Sequence, residues 1–496
     1  MASTPIPSTA GPSLAGRYAA AIALTIGFYV LALIIGGGLI AAPIYGWANG
    51  TGNIWLTITA LFLGGSILFA IVPRRLKFET PGLRVTEAEQ PELLRLVAEE
   101  AKAAGEPMPD DVYLTLEANA AVTQASRSRR ALIVGVPLLH ILSERELRGV
   151  IAHEFGHYSG GDTKLGPWIY RTRETIIRTV LQLSDDEGDE GWSQRAVRKP
   201  FIWYGNAFLR ITAKISRRQE FAADRCAVAS VGRAAYAAGL ERVHAYGPAF
   251  DSYWGGEVAP LLGRGHRPAI SEGFSRFIAH QNVAEAADTH LERLRDEETD
   301  PYDSHPSLPE RLAAIDGLPA GDPDESRCSI ELLRDPAGVE RAQLQFLFGA
   351  DIEQLSPIEW DAVGPVVYGA RARELTQEFP RLLEGVTVGT LPEAVARRGD
   401  LAARITDPEI EDREELALVV LADATLLALE AAGWTIVADL AEPISARRGD
   451  TTLFIHAAIG RMAEGELSAE QWEAEARELG IADVGIASSD RQEVAA

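Results

Sequence analysis

The N-terminal part of the chain contains two long apolar runs, and no charged residue lies between residues 18 and 73. The runs cover residues 18–44 and 54–72, and a segment rich in Gly and Asn separates them. At about 1.5 Å of rise per helical residue, each run is long enough to cross a hydrocarbon core of about 30 Å. A buried hairpin of a soluble protein and a cleaved signal peptide are the alternatives, but the apolar region of a signal peptide is shorter, about 7–15 residues. The pattern predicts a transmembrane helical hairpin.

The flanking charges predict the orientation of this hairpin. Arg17 precedes the first run, several basic residues from Arg74 to Arg84 follow the second, and the connecting segment has none. Because positive residues stay on the cytoplasmic side, both ends of the hairpin are expected in the cytoplasm. The expected location is the plasma membrane, with a multi-pass anchor, a cytoplasmic tail at residues 1–17 and a cytoplasmic region after residue 73.

Downstream of the hairpin, the apolar periodicity predicts a mixed α and β region. Helical spacing covers residues 91–104 and a second helix that Ser143 opens. Ser143 and Glu146 fit a capping box, in which each side chain bonds the backbone N–H of the other residue. Runs rich in β-forming residues at 112–116 and 131–136 predict strands. The expected fold class is α+β, mainly helical with a small β-sheet.

Two further apolar segments, residues 165–183 and 201–215, are interrupted by charged residues. The charges are Arg171, Arg173, Glu174 and Arg178 in the first segment and Arg210 and Lys214 in the second. Charged side chains are costly in hydrocarbon, so we predict amphipathic helices that cover a cleft or lie along the membrane surface. Full membrane spans are the alternative.

Charge distinguishes the C-terminal third from the rest of the chain. The 496 residues carry a formal net charge of −24, and residues 321–496 contain 35 Asp and Glu against 15 Lys and Arg. Phosphate binding needs clustered cations, so no nucleic-acid partner is expected. The apolar patterns predict helices at residues 331–348, 410–432 and 469–479, with strands at 435–438 and 452–455. We therefore expect an acidic, mostly helical C-terminal domain.

One predicted helix carries two histidines and a glutamate at a spacing suited to metal chemistry. His153, Glu154 and His157 lie in the sequence HEFGH. Histidines four residues apart share a helical face, so both imidazoles can bind one metal ion. Glu154 is placed to contact a water on that metal, whose pKa zinc lowers to about 7. The alternative is an ordinary helix with these residues by chance.

A catalytic zinc site also needs a third protein ligand. The chain has only two cysteines, which excludes a four-cysteine site and a disulfide framework. Glu220 and Asp224, in the sequence RRQEFAAD, are four residues apart on a predicted helix. Glu220 can bind zinc while Asp224 accepts a hydrogen bond from a ligand histidine. Alone, such a pair is usually a solvated helix face; after HEFGH it becomes the expected partner.

Three motifs follow one another between residues 119 and 311. They are HEFGH with Gly161-Asp162 shortly after it, RRQEFAAD, and SHP at residues 304–306 followed by PER at residues 309–311. In this order they resemble the HtpX and CAAX-prenyl-protease family of membrane-associated zinc metallopeptidases. The resemblance implies a zincin-like domain of the gluzincin type and one Zn²⁺ per chain. It implies His153, His157 and Glu220 as ligands, with Glu154 as general base.

The third motif of this resemblance implies further site residues. His305 would lie near the catalytic water or the substrate, where it could stabilise the tetrahedral oxyanion. Arg311 would pair with an active-site carboxylate. The family also has an edge strand that pairs with an extended substrate backbone, and the corresponding residues are Asn119, Ala120 and Ala121. On the sequence alone, His305 reads as a surface-loop histidine.

The sequence therefore predicts a membrane-anchored zinc metalloendopeptidase that acts on polypeptides, in the quality-control branch of the family. The expected domains are two transmembrane helices at 18–73, a metallopeptidase domain at 74–322 and an accessory domain of unknown role at 323–496. The alternatives are a catalytically silent zinc-binding scaffold and a zinc hydrolase of small molecules. Substrate identity and oligomeric state stay open.

Overall fold

The computed structural model describes residues 14–72, 78–126, 129–159, 175–176, 192–324, 326–407 and 410–487. Two compact units are formed, one by residues through Ala245 with Thr289–Arg334 and one by Tyr246–Asp288 with the residues from Asp335 onward. Tyr246–Asp288 thus belongs to the second unit, although it lies within the predicted peptidase domain at 74–322. The predicted segment 165–183, apart from residues 175 and 176, lies outside the described residues, as do Gly161-Asp162 and Arg74.

The N-terminal apolar runs form helices α1 (Leu14–Ala48) and α2 (Ile54–Ala70). Asn53 caps α2, because its side chain accepts a hydrogen bond from the Leu56 N–H at 3.1 Å. Within α1, Ile22–Ala48 is long and apolar enough to cross a membrane, whereas Ile54–Phe69 is a shorter apolar helix. In the described residues, length and composition therefore identify one candidate span, and the second span stays a prediction.

The predicted segment 201–215 is part of one 40-residue helix, α6 (Trp192–Val231), and not a separate amphipathic helix. Its apolar side chains Phe201 and Phe208 are buried in a cluster with Phe28 of α1. The Tyr204 hydroxyl donates to the carbonyl oxygen of Leu24. The charges in this segment indicated a surface helix, but its other side packs on α1, a tertiary contact that local periodicity does not reveal.

A four-stranded sheet precedes the helix that carries HEFGH. Its strands are β1 (Leu83–Val85), β2 (Asp111–Thr115), β3 (Ala120–Gln124) and β4 (Arg130–Gly135), in the order β1-β2-β4-β3. β4 is parallel to β2 and antiparallel to β3. Helix α3 (Pro91–Ala103) lies between β1 and β2 in the chain, and α4 (Val136–Ile141) and α5 (Glu144–Ser159) follow β4. The predicted helices and strands are confirmed to within one or two residues, and β3 is an edge strand.

The next helices continue from α6 toward the C-terminal part of the chain. They are α7 (Arg233–Tyr253), α8 (Ala259–Gly263), α9 (Ile270–Ile278), α10 (Gln281–Arg295) and α11 (Leu308–Ile315), with strand β5 (His266–Pro268) between α8 and α9. In the first unit, Val231, Tyr236 and Ile315 are buried in one cluster that joins α6, α7 and α11. The cluster thus joins the helix that carries RRQEFAAD to the helix that carries Arg311.

The second unit has its own core around helix α16 (Arg413–Ala431), whose Leu421 and Leu426 are almost completely buried. The other helices are α12 (Pro336–Phe348), α13 (Gly369–Glu378), α14 (Leu391–Ala396), α15 (Arg398–Ala402), α17 (Ile455–Glu464) and α18 (Ala469–Glu478). The strands are β6 (Ser356–Ile358), which pairs with β5, and the sheet β7 (Thr435–Val437), β8 (Ser445–Arg448) and β9 (Thr451–Leu453). Short π- and 3₁₀-helical turns connect several of these elements, at Trp254–Val258, Ser329–Leu332, Gly349–Gln354, Trp360–Ala362, Gly364–Tyr368 and Pro380–Leu382.

Candidate active site

Helix α5 presents HEFGH, and its start is fixed by the predicted capping box. The Glu146 N–H donates to Ser143 Oγ at 3.1 Å, and the Ser143 N–H donates to the Glu146 carboxylate at 2.9 Å. Further along, α5 packs closely on α6 at Gly156. A Cβ atom at Gly156 would lie 2.8 Å from the Cα atom of Ala223. Glycine therefore lets the two helices that carry the site approach each other.

The predicted ligands His153, His157 and Glu220 come together between α5 and α6. The two Nε2 atoms of His153 and His157 are 3.2 Å apart. One carboxylate oxygen of Glu220 lies 3.3 Å from His153 Nε2, and the other lies 3.7 Å from His157 Nε2. A tetrahedral zinc ion with bonds of about 2.0–2.1 Å requires ligand atoms about 3.3 Å apart. This His₂Glu set therefore fits zinc in donor chemistry and in spacing.

Asp224 lies directly behind His153, where the sequence predicted a supporting carboxylate. It is completely buried, and its Oδ1 atom is 3.1 Å from His153 Nδ1. Arg311 donates to both oxygens of Asp224, at 2.6 and 3.2 Å. An ionised carboxylate at this position keeps the proton of His153 on Nδ1 and leaves Nε2 free for a metal.

Tyr236 completes this group and was not predicted from the sequence. Its hydroxyl donates to Asp224 Oδ1 at 2.6 Å and accepts from Arg311 at 2.9 Å. The residue lies on α7, outside all three motifs, and nothing in the spacing of apolar residues distinguishes it from a core tyrosine. Burial raises the pKa of Tyr236 well above its ordinary value, so the hydroxyl keeps its proton and acts as a donor.

Burial and hydrogen-bonded neighbours have opposite effects on the pKa values of the groups in this cluster. Burial lowers the pKa of His153, but hydrogen bonds to Asp224 and Glu220 outweigh it and raise the pKa to about 9. Burial would raise the pKa of Glu220, but hydrogen bonds from His153 and His305 hold it far below its ordinary value. His153 and Arg311 lower the pKa of Asp224 in the same way, against its burial. Both carboxylates are therefore ionised at neutral pH, and a metal that binds His153 displaces a proton.

Glu154 points to the edge strand of the sheet. Its carboxylate accepts a hydrogen bond from the Val122 N–H at 3.2 Å. Ala120 and Ala121 lie in β3, as predicted, and Asn119 immediately precedes it, with its carbonyl oxygen bonded to the Gly135 N–H at 2.8 Å. The strand residue that donates this hydrogen bond to Glu154 is thus Val122, one position beyond the predicted Asn119–Ala121 segment.

His305 lies on the open side of the same cluster. Its Nδ1 atom is 3.1 Å from Glu220 Oε1, and its side chain is 66% exposed. The hydrogen bond to Glu220 raises the pKa of His305, against the opposing effect of partial burial. Arg311, a second residue of the same motif, lies 3.8 Å from the other Glu220 oxygen, Oε2.

The helix pair α5 and α6, the His₂Glu set and the adjacent edge strand are together typical of a metallopeptidase domain. Comparison with known proteins agrees with that class. Residues 87–318 match the profile of Peptidase family M48. The chain is 24% identical over 286 residues to "Protease HtpX" of Tolumonas auensis, covering 54% of this chain and 87% of that protein.

The chain is also similar to a second curated protease and to one solved structure. The chain is 36% identical over 171 residues to "Protease HtpX homolog" of Ralstonia nicotianae, covering 33% of this chain and 59% of that protein. The crystal structure of S. mikatae Ste24p matches 60% of this chain and 66% of that chain, with 17% identity and a TM-score of 0.26. The family profile and the HtpX relatives therefore identify residues 87–318 of this chain as a peptidase family M48 domain of the HtpX-like kind. The predicted family is confirmed, and with it the class of protease.

Proposed function

We propose that the chain is a zinc-dependent metalloendopeptidase with Glu154 as its general base. The observation that carries this proposal is the convergence of three donor groups, from His153, His157 and Glu220, with Nε2 and carboxylate oxygen atoms 3.2–3.7 Å apart. Three protein ligands leave a fourth position open, as a catalytic zinc site requires. One Zn²⁺ per chain follows from one such set.

When bound, zinc supplies Lewis acidity that lowers the pKa of water to about 7. Glu154 takes a proton from the attacking water as the new C–O bond forms and gives the tetrahedral oxyanion. It then delivers this proton to the amide nitrogen, which leaves as an amine when the C–N bond breaks. The Val122 N–H holds one oxygen of Glu154 in place. His305, exposed beside Glu220, faces the substrate side and stabilises the oxyanion. Asp224 and Arg311 hold His153 in its binding orientation.

The substrate class we propose is an extended or unfolded polypeptide, with a role in membrane-protein or unfolded-protein quality control. Strand β3 has β4 on one side only and is the edge of its sheet. An extended chain can add to such an edge by backbone hydrogen bonds. Asn119, Ala120 and Ala121 would then line the substrate. A small-molecule substrate has no extended peptide backbone to add to a strand edge, so the exposed edge of β3 favours a polypeptide substrate.

We also propose that α1 and α2 anchor the chain in the plasma membrane as a hairpin, with the peptidase domain in the cytoplasm. Large apolar side chains of both helices are exposed, among them Ile34 at 67% and Phe62 at 77%. Exposed apolar surface of this extent indicates contact with lipid. In a chain with both native cysteines replaced by serine, Asn49→Cys should react with an impermeant maleimide on intact cells, and Glu87→Cys only after permeabilisation. The reverse pattern would contradict the orientation.

The catalytic proposal is tested by cleavage of an unfolded protein by the detergent-purified chain, with bound zinc quantified. Wild type should cut it, and Glu154→Gln should bind zinc normally while kcat falls by about 10²–10⁴-fold. Glu292→Gln, an exposed change of the same kind on α10, serves as the matched control. Absence of cleavage by zinc-loaded wild type would favour the silent scaffold. Absence of zinc in wild type would refute the ligand set.

A further inference from the structure

The loop that carries His305 is attached to helix α6 by one arginine of the RRQEFAAD motif. We call residues 299–307 the His305 loop. The Arg217 guanidinium donates through one nitrogen to the carbonyl oxygen of Asp303 at 2.8 Å and to that of Asp300 at 3.2 Å. Arg217 belongs to the sequence motif, but it is neither a proposed metal ligand nor a proposed proton carrier.

Within the His305 loop, the backbone is fixed by side chains of the loop itself. The Asp300 carboxylate accepts from the Tyr302 N–H at 2.8 Å, and the Asp303 carboxylate accepts from the His305 N–H at 2.9 Å. Thr299 Oγ1 accepts from the Ser307 N–H at 2.7 Å. These bonds give the loop a defined shape, but they do not determine where it lies relative to the metal ligands.

Contacts with helix α6 determine where the His305 loop lies relative to the metal ligands. Arg210, Arg217, Glu220 and Asp224 are spaced by seven, three and four residues, so they share one face of the helix. Arg210 lies over the ring of Tyr302 at 4.8 Å from its centroid. The anchors of the loop and the ligand Glu220 therefore belong to the same rigid element, and the Nδ1 atom of His305 reaches Glu220 at 3.1 Å.

We propose that Arg217 is a positioning residue that sets the place of His305 relative to Glu220. The inference rests on the proposed function, because it assigns Arg217 an effect on catalysis through His305. One terminal nitrogen of the planar guanidinium donates hydrogen bonds to two carbonyl oxygens of the loop, and the planar group fixes the directions of both bonds. A lysine keeps the charge at this position but lacks the rigid geometry. The neighbouring Arg218 is exposed and provides a control with the same charge.

A double-mutant cycle on the zinc-loaded enzyme tests this inference. His305→Ala should lower kcat by about 100-fold, the loss expected for an oxyanion donor. Arg217→Ala should lower kcat by about 10-fold, as expected when a catalytic group is displaced, with KM nearly unchanged. The double variant should be no slower than His305→Ala, because the effect of Arg217 requires His305. Arg217→Lys should fall between Arg217→Ala and wild type, and Arg218→Ala should equal wild type.

Independent losses would overturn the inference: a double variant about 1,000-fold slower than wild type shows that Arg217 acts without His305. Equal losses for Arg217→Ala and Arg218→Ala would also overturn it, since they indicate a general charge effect. Zinc content and the unfolding midpoint of each variant separate positioning from loss of fold. If wild type is inactive, or if Glu154→Gln is fully active, the proposed function itself fails, and this inference fails with it.

Discussion

The hydroxyl of Tyr236 lies 2.6 Å from Asp224 Oδ1 and 3.0 Å from His153 Nδ1. Tyr236 and Asp224 are both buried, with 2% and 0% of their surface exposed. Asp224 therefore receives hydrogen bonds from Tyr236 and Arg311 as well as from His153, and its carboxylate cannot rotate away from the imidazole. A residue of α7 thus supports His153, the proposed metal ligand on α5, through a carboxylate of α6.

Tyr236→Phe should weaken zinc binding while the fold is retained. The substitution removes one hydrogen bond to Asp224 and loosens the orientation of His153, and outer-sphere changes of this kind cost about 10-fold or more in metal affinity. Competition with a chromophoric chelator measures the affinity. Tyr246→Phe, ten residues further along α7, is the matched control. Equal zinc affinity in Tyr236→Phe and wild type would show that the hydroxyl has no orienting role.

Local patterns in the sequence predicted most of the elements that carry the site. The capping box at Ser143 and the spacing of His153 and His157 each depend on neighbours within one or two helical turns. Helix α5 and strands β2 and β4 follow from such short-range rules. The assignment of Glu220 needed the adjacent motif, because a carboxylate on a helix is ordinarily a solvated residue.

The features that the sequence did not reveal depend on contacts between distant segments. Tyr236 reaches Asp224 because α7 folds back along α6, which no local period encodes. The length of α6 escaped prediction because Phe201 and Phe208 pack on α1, far away in the chain. Likewise, Tyr246–Asp288 joins a core whose other residues come from Asp335 onward.

Gly156→Ala should destabilise the protein and weaken zinc binding together. The new methyl group would lie 2.8 Å from the backbone of Ala223, so α5 and α6 must separate. Overpacking of this kind costs about 1–3 kcal/mol, and here it also moves His157 from Glu220. Gly460→Ala, in helix α17 with open space around the Cβ position, should be neutral or slightly stabilising. Thermal unfolding and zinc titration of both variants provide the comparison; unchanged values for Gly156→Ala would contradict the close packing.

Val122→Pro should reduce turnover more than Val122→Ala does. Proline lacks the N–H group that donates a hydrogen bond to Glu154 at 3.2 Å. Alanine keeps this N–H group and removes only side-chain volume. An edge strand tolerates proline where the N–H points away from the sheet. Loss of one hydrogen bond, about 0.5–1.5 kcal/mol, corresponds to a fall of about 2–10-fold in kcat. Steady-state kinetics on a peptide substrate measure it, and identical rates for the two variants would exclude a role for this N–H.

Helix α4 of the first unit contains a buried histidine, His140. Burial lowers the pKa of His140 from 6.5 to about 4. The folded chain therefore keeps this imidazole neutral at pH values where the unfolded chain already protonates it. As the pH falls from about 6.5 to about 4, the unfolded state binds a proton that the folded state does not, so stability declines and then levels off.

The size of this decline follows from the shift in pKa, about 3 kcal/mol at 1.36 kcal/mol per unit. His140→Gln removes the titrating group, so the free energy of unfolding should fall less steeply between pH 7 and pH 4 in the variant than in wild type. Measurement on chelator-treated protein avoids a contribution from metal release. Carboxylates such as Asp224 also lose their charge in acid, but they do so in both proteins and cancel in the difference. Parallel stability curves for the two proteins would show that His140 does not account for the acid sensitivity.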